Sequence, residues 1–154
     1  MIEDIKKYRK ISNTLYTAGQ PTYAQFKSIK EASIDLVINL AFPDSPNAIP
    51  NEKNIVLAQT MDYIHIPVDF KNPKKSDLEC FFKVMDENIE KKILIHCAFN
   101  WRVSCFTYLY RVIRQDCNGK MARQEMLDVW QPNETWESFI SNCLINKSDF
   151  KNYQ

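Results

Sequence analysis

The segment that most constrains the fold of this chain is a short apolar run that leads into a loop containing a cysteine and an arginine. Residues 93–96, Ile-Leu-Ile-His, have the continuous apolar character of a strand that is covered on both faces. Residues 103–114 carry apolar side chains on two helical stripes, which is typical of a buried helix. The loop between them consists of Cys97, Ala98, Phe99, Asn100, Trp101 and Arg102. A strand, a tight loop and a helix in this order indicate an α/β fold.

This loop has the chemistry of an anion site. Backbone N–H groups converge where a helix begins, and the positive end of the helix dipole favours an anion there. The same surroundings favour the thiolate form of Cys97 over the thiol. Arg102 adds a planar fork of donors suited to phosphate or sulfate. The alternative is that Cys97 is a buried structural cysteine and that Arg102 is a solvated residue at the start of the helix.

Strand-like and helix-like segments alternate along the rest of the chain. Strands are predicted at residues 15–17, 34–40, 63–68 and 92–96, and helices at residues 23–32, 52–61, 76–90, 103–114, 121–130 and 134–145. The segment 52–61 also suits a strand at its centre. Thr22, Ser76 and Asn133 are predicted N-caps. We therefore expect one domain, residues 1–154, with α/β architecture: a central, mostly parallel sheet of about four to five strands flanked by helices, with a helical C-terminal third.

Composition limits the possible partners, cofactors and compartment. The net charge is +1, which argues against general binding to nucleic acid or to a membrane surface. The five cysteines are odd in number and scattered, so they predict neither a disulfide framework nor a zinc site. We expect a cytoplasmic protein without a metal or other cofactor, because no signal-peptide core or membrane-spanning segment is present. The chain contains only two glycines, which predicts few left-handed turns.

Several segments resemble the protein tyrosine and dual-specificity phosphatase superfamily, and most closely its small bacterial dual-specificity-like members. The superfamily signature is His-Cys, five residues, Arg and then Ser or Thr, and residues 96–104 are similar to it. Further resembling segments are LYTAGQP at 15–21, VINL at 37–40 and HIPVD at 65–69. The loop departs from the signature, since only four residues separate Cys97 from Arg102 and none is glycine. Asn100 is expected to replace the usual glycine, because asparagine tolerates a left-handed backbone.

The resemblance implies a phosphoric monoester hydrolase that acts through a phosphocysteine at Cys97. Arg102 and the loop residues from Ala98 to Trp101 would bind the phosphate, and a phosphate or sulfate ion would occupy the same site. The hydroxyl of Ser104 corresponds to the one that helps the thiolate leave. We expect His96 to hold the loop through hydrogen bonds rather than to act as a base. The implied substrate is a phosphorylated protein or a small phosphate ester.

A carboxylic acid is also required, because the leaving oxygen needs a proton. Asp69 follows a predicted strand and resembles the general acid of the superfamily in position and context. If its strand lies next to the strand that ends at Cys97, both side chains open onto one crevice. The alternative for Asp69 is that it caps a turn, and Asp44 is the competing acid.

Two other functions remain open at this stage. A four-residue spacing between cysteine and arginine also occurs in rhodanese-like sulfurtransferases, in which Cys97 would carry a persulfide. A shortened loop also suits a non-catalytic, phosphate-binding pseudophosphatase. Asp69 and the long helical segment after the loop favour the phosphatase, because a rhodanese fold usually places its loop nearer the end of the domain.

Aromatic and polar residues near the loop carry less specific predictions. Phe99 and Trp101 suit the mouth of a pocket or a packed surface equally well. Gln20 and the proline after it follow the first predicted strand and are candidates for the border of the site. Trp130 and Trp136 lie on predicted helices and are expected to pack in the core.

Overall fold

The computed structural model describes residues 1–150 and contains one five-stranded sheet with helices on both faces. The strands are β1 (Arg9–Lys10), β2 (Leu15–Ala18), β3 (Leu36–Asn39), β4 (Asp62–His65) and β5 (Ile93–His96). The helices are α1 (Gln25–Glu31), α2 (Glu52–Ala58), α3 (Lys75–Glu87), α4 (Trp101–Ile113), α5 (Gly119–Val129) and α6 (Glu134–Ile145). Short 3-10 helices span Ile2–Asp4 and Lys147–Phe150. The α/β architecture and the helical C-terminal third are confirmed.

Strand β5 lies at the centre of the sheet, whose order is β1-β2-β5-β3-β4. It pairs in parallel with β2 on one side and with β3 on the other, so that His96 lies opposite both Ala18 and Asn39. Only β1 runs antiparallel. All four residues of β5 are buried, as a continuous apolar run requires. The strand that precedes Asp69, β4, is not a neighbour of β5, because β3 lies between them.

Alternating side chains of the strands fill two separate cores. Ile93 and Ile95 point to the larger core, which is closed by α3, α4, α5 and α6, whereas Leu94 points to the smaller core under α1 and α2. This is the period of two that a pleated strand imposes. Helix α4 is buried along most of its length and packs against α5 and α6, as its two apolar stripes predict. The sheet is therefore covered on both faces, and its C-terminal edge stays open.

Several local predictions concern where helices begin. Asn133 caps α6 by accepting a hydrogen bond from the Trp136 amide at 3.0 Å, as predicted. Thr22 and Gln25 form reciprocal side-chain to backbone bonds ahead of the regular part of α1. The prediction for Ser76 is wrong: the N-cap of α3 is Lys74, whose backbone is extended, so the cap lies two residues earlier than predicted and Ser76 lies in the first turn of the helix.

The segments that the sequence left ambiguous or featureless are now defined. The ambiguous segment 52–61 forms the helix α2, which buries Val56. Strand β1 is absent from the predictions because it has only two residues and no apolar alternation. Left-handed backbone is common, so the expectation from the glycine count is wrong. The non-glycine residues with positive φ are Lys7, Ser33, Asn47, Asn51, Thr60, Asn100 and Asp116.

Gly19 allows the end of β2 to pass very close to the loop after β5. A Cβ atom at Gly19 would lie 2.8 Å from the carbonyl oxygen of Ala98 and 3.1 Å from that of Lys6. The Gly19 amide donates to the Lys6 carbonyl at 2.7 Å, and the Gln20 amide donates to the Ala98 carbonyl at 3.1 Å. Because all these groups belong to the backbone, a side chain at Gly19 would force the two segments apart.

We predict that Gly19→Ala destabilises the protein by about 1–3 kcal/mol, the usual cost of forcing a methyl group into packed structure. Gly119→Ala is the matched control, because nothing lies within 4 Å of a Cβ atom at this first residue of α5. It should be neutral or stabilising by up to about 1 kcal/mol. Urea unfolding of both variants measures the difference. Equal stabilities would show that the close approach at Gly19 carries no constraint.

Candidate active site

A cavity of about 440 Å³ opens at the C-terminal edge of the sheet, directly after β5. Ligands bind at this edge in open parallel sheets. The loop contributes Cys97, Ala98, Phe99, Trp101 and Arg102 to the lining. The segments that follow β3 and β4 contribute the remaining lining residues, which are Phe42, Asp44, Ser45, Pro46, Asp69, Phe70 and Lys71. The structure thus brings most of the predicted site residues to one cavity.

Arg102 is a buried cation on the wall of this cavity, with only 6% of its surface exposed. Its Nη1 donates to the Val68 carbonyl at 3.0 Å and its Nη2 to the Ser45 hydroxyl at 3.4 Å. Both partners are neutral, and Arg102 forms no ion pair with a carboxylate of residues 1–150. A guanidinium has more N–H donors than these two bonds use, so others remain for a bound oxyanion. Cys97, 1% exposed, lines the same cavity.

Asn100 sets the path of the loop between Cys97 and the helix. Its backbone is left-handed, with φ 64°, as predicted for the residue that replaces glycine. Its side-chain nitrogen donates to the Lys7 carbonyl at 2.9 Å and to the Thr17 hydroxyl at 3.0 Å, so the side chain points away from the cavity. Within residues 1–150, the amides of the three residues from Ala98 to Asn100 donate no hydrogen bond. These amides are the donors that an oxyanion in the loop would use.

A buried polar cluster supports the loop from below. His96 has no exposed surface, and its Nε2 lies 2.7 Å from a carboxylate oxygen of Glu52. Its Nδ1 lies 3.4 Å from the Cys97 carbonyl oxygen. The second oxygen of Glu52 accepts from the Gln20 side chain at 2.6 Å. Burial alone would raise the pKa of Glu52, but the charge of His96 and these hydrogen bonds outweigh it and lower that pKa.

Two carboxylates line the cavity. Asp69 reaches it although β4 is two strands from β5, because Ile66 and Val68 continue to pair with the segment after β3. Asp69 is half-buried, and one of its oxygens accepts from the Lys71 amide at 2.9 Å, so it caps a turn as well. Asp44 is exposed on the loop after β3. The structure brings both candidate acids to the cavity.

Ser104 and Gln20 do not line this cavity. The Ser104 hydroxyl donates to the Trp101 carbonyl at 2.8 Å and accepts from the Trp130 indole at 3.0 Å. Gln20 instead contacts Glu52, as described above. The functional role proposed for Ser104 therefore stays a prediction.

Aromatic side chains form one wall of the cavity mouth. The Trp101 ring stacks on Trp130 with centroids 5.0 Å apart and planes 7° apart, and it also contacts Phe70 at 5.8 Å and Phe99 at 5.2 Å. Trp136 is fully buried, as predicted, whereas Trp130 is only partly buried. Phe99 and Trp101 thus border the cavity and also pack on neighbouring rings, and their role in substrate binding stays a prediction.

Comparison with solved structures shows what this fold is similar to. A candidate phosphatase of the DUF442 type from Shewanella putrefaciens CN-32 has 33% identity, with 98% of this chain and 97% of that chain covered and a TM-score of 0.85. P. aeruginosa TpbA has 14% identity, with 96% and 92% covered and a TM-score of 0.76. The core catalytic domain of the PP-IP phosphatase SIW14 from S. cerevisiae has 16% identity, with 97% of each chain covered and a TM-score of 0.73. No family model and no curated protein sequence matches the chain.

The chain belongs to the DUF442 family of candidate phosphatases. The resemblance seen in the sequence is thereby confirmed, and this DUF442 protein is an enzyme of the phosphatase class. None of the helices within residues 1–150 has the length and apolar character needed to cross a membrane. No group of three or more His, Cys, Asp or Glu side chains in the same range is placed to hold a metal ion.

Sequence reasoning missed the contribution of Glu52 to this DUF442 site. Glu52 was only the first residue of an ambiguous segment, and no local pattern distinguishes a buried acid at that position from a solvated one. Phe70 and Lys71 were also missed, although they directly follow Asp69 and share its approach to the cavity. Proximity to a candidate acid at a strand end was the signal that could have found them.

Among the five free cysteines of this DUF442 protein, Cys97 lines the cavity together with Arg102 and directly precedes the loop amides that donate no hydrogen bond in the described part of the chain. Burial raises the pKa of Cys143 to about 11 and raises the pKa of Cys105 still further. Burial also raises the pKa of Cys80, although its residue is exposed. We therefore predict that iodoacetamide near neutral pH labels Cys97 faster than the other four.

Mass spectrometry of tryptic peptides, after short exposure to the reagent, measures this selectivity. Inorganic phosphate or vanadate should protect Cys97 and leave the labelling of the partly exposed Cys117 unchanged. Uniform labelling of all cysteines, or protection of Cys97 without any added anion, would contradict the prediction.

Proposed function

We propose that this protein hydrolyses phosphoric monoesters through a phosphocysteine at Cys97, with Arg102 binding the phosphate and Asp69 as the general acid. One observation carries the proposal: a buried arginine without a carboxylate partner lines the same cavity as the cysteine. Burial of an unpaired charge is costly, so the position of Arg102 in the cavity wall favours a bound anion. The family placement supports the same class of reaction.

In the proposed reaction, the Cys97 thiolate attacks phosphorus and forms an S–P bond while the P–O bond to the leaving group breaks. Asp69, in its acid form, gives its proton to the leaving oxygen. The resulting carboxylate of Asp69 then takes a proton from water, which attacks phosphorus and breaks the S–P bond. Inorganic phosphate leaves, and Cys97 is again a thiolate. Arg102 and the free loop amides balance the charge on the phosphoryl oxygens throughout.

The shape and charge of the cavity favour a phosphate ester with an apolar or aryl portion, carried by a protein or a small molecule. Aromatic rings, including those of Phe70 and Trp101, border the mouth. The lining has two cationic side chains, those of Arg102 and Lys71, but also two carboxylates, those of Asp44 and Asp69. A substrate with many phosphate groups would therefore meet repulsion around the single loop that accepts an oxyanion.

Trapping of the intermediate tests the proposed reaction directly. With a ³²P-labelled aryl phosphate and an acid quench within one turnover, we predict label on the protein as an acid-stable thiophosphate. Cys97→Ser should abolish both label and turnover and keep the fold, because a serine hydroxyl is not ionised in this site. Turnover of thiosulfate with cyanide would instead identify a sulfurtransferase. Anion binding with neither reaction would identify a pseudophosphatase, and either result would overturn the proposal.

The general acid is tested by the leaving group. We predict that Asp69→Asn lowers turnover by roughly 10²–10⁴-fold for an alkyl phosphate, whose leaving oxygen needs a proton. The loss should be smaller for an aryl phosphate with a good leaving group. Asp44→Asn is the matched control, since it removes the other carboxylate of the cavity. A large, leaving-group-dependent loss in the Asp44 variant alone would transfer the role to Asp44.

A further inference from the structure

The polar cluster beneath the loop contains more charge than a merely structural support requires. Glu52 and His96 are 5% and 0% exposed, and they are linked at 2.7 Å. Two ionisable groups removed from water are expensive unless they are paired and fully hydrogen-bonded. Glu52 meets this condition, because its other oxygen accepts from Gln20 at 2.6 Å. Apolar residues could fill the same space, so packing alone does not account for a buried carboxylate and imidazole at this position.

The contacts of the His96 ring indicate its protonation state. Nε2 faces the Glu52 carboxylate at 2.7 Å, and Nδ1 faces the Cys97 carbonyl oxygen at 3.4 Å. Both of these partners can only accept a hydrogen bond. A neutral imidazole has one N–H group, whereas an imidazolium has two and can donate to both oxygens. The arrangement therefore suits a doubly protonated ring, and the buried carboxylate of Glu52 supplies the compensating charge.

The orientation of this pair favours a negative charge at Cys97. The carboxylate lies on the Nε2 side of the ring, away from the Cys97 carbonyl, so the positive end of the ion pair faces the loop. The remaining titratable neighbour, Tyr63 of β4, stays neutral, because burial and the adjacent Glu52 charge raise its pKa. Its hydroxyl accepts from the Asn39 side chain at 3.0 Å. The cluster thus presents one cationic group, His96, toward the base of the loop.

We propose that Glu52 is a positioning residue that keeps His96 doubly protonated beneath the anion loop and so maintains Cys97 as a thiolate. The proposal rests on the function proposed above only in that Cys97 is the nucleophile. Gln20 extends the same linkage, since its side chain binds Glu52 while its amide donates to the Ala98 carbonyl of the loop. An acid on α2 thereby acts on the loop after β5 without touching the substrate.

The wild-type protein provides the first test. The chain has only two histidines, so the ring ¹⁵N signals of His96 can be assigned with a His65→Gln variant. We expect both ring nitrogens of His96 to show the shifts of protonated nitrogen at pH 7. A neutral His96 ring at that pH would overturn the proposal, and this readout needs neither turnover nor a folded Glu52 variant.

The second test is Glu52→Gln, which keeps the size of the side chain and removes its charge. We expect the midpoint of the Cys97 alkylation rate against pH to rise by about one unit, so that labelling below the midpoint slows about tenfold. Asp62→Asn is the control: it breaks a 3.1 Å ion pair with Lys91 at the first residue of β4, at the opposite end of the parallel strands from the loop, and should leave the profile unchanged. An unchanged profile in folded Glu52→Gln, with only lower stability, would reduce Glu52 to a structural role and overturn the proposal.

Alkylation also separates this proposal from the proposed function. If a phosphocysteine forms but the Glu52→Gln profile does not move, only the role of Glu52 is wrong. If no phosphate ester is turned over but the profile shifts as expected, Glu52 still controls the thiol and the proposed reaction is wrong. If Glu52→Gln does not fold, the charge state of His96 in the wild-type protein decides the matter alone.

Discussion

The parallel pairing of β5 with both β2 and β3 is the constraint on which the rest of the site depends. It places His96 level with Ala18 and Asn39, so three strands end at one edge of the sheet. The segments that follow these strands therefore lie side by side: Gly19 and Gln20 follow β2, Cys97 follows β5, and the segment with Asp44 follows β3. A one-residue shift in either pairing would exchange the two faces of β5 and move Ile93 and Ile95 out of their core. Core packing therefore fixes the position of the cysteine.

Charge, rather than apolar packing, distinguishes the edge that carries the site. Arg102 is buried against neutral groups, namely the Val68 carbonyl, the Ser45 hydroxyl and the Phe70 ring, whereas the buried His96 ring faces the Glu52 carboxylate. The two side chains therefore have different consequences. His96 and Glu52 are hydrogen-bonded to each other beneath the loop, so neither of these buried groups is left without a partner. Arg102 leaves an uncompensated positive charge on the cavity wall, and such a charge is best stabilised by an anion that enters from solvent.

The sequence predicted those features that depend on local patterns. The apolar run before Cys97, the stripes of α4 and the left-handed Asn100 are all visible within a few residues. Features that depend on long-range pairing were not predictable in this way. Nothing local shows that β3 lies between β4 and β5, or that Asp69 still reaches the cavity because the chain continues to pair beyond β4. The contact of Glu52 with a histidine 44 residues away belongs to the same class.

Asn100 restrains the shortened loop through side-chain hydrogen bonds that a glycine could not form. A glycine at position 100 would adopt the same left-handed backbone, but it could not donate to the Lys7 carbonyl and the Thr17 hydroxyl. It would also have more conformations to lose on folding. Asn100 thus anchors one side of the loop, while the Gln20 amide holds the Ala98 carbonyl on the other. Donors that are fixed before the substrate arrives cost no reorganisation during the reaction, which is the condition under which they stabilise developing charge most. A loop with one residue fewer therefore still offers a preorganised site, because the surrounding segments restrain it on both sides.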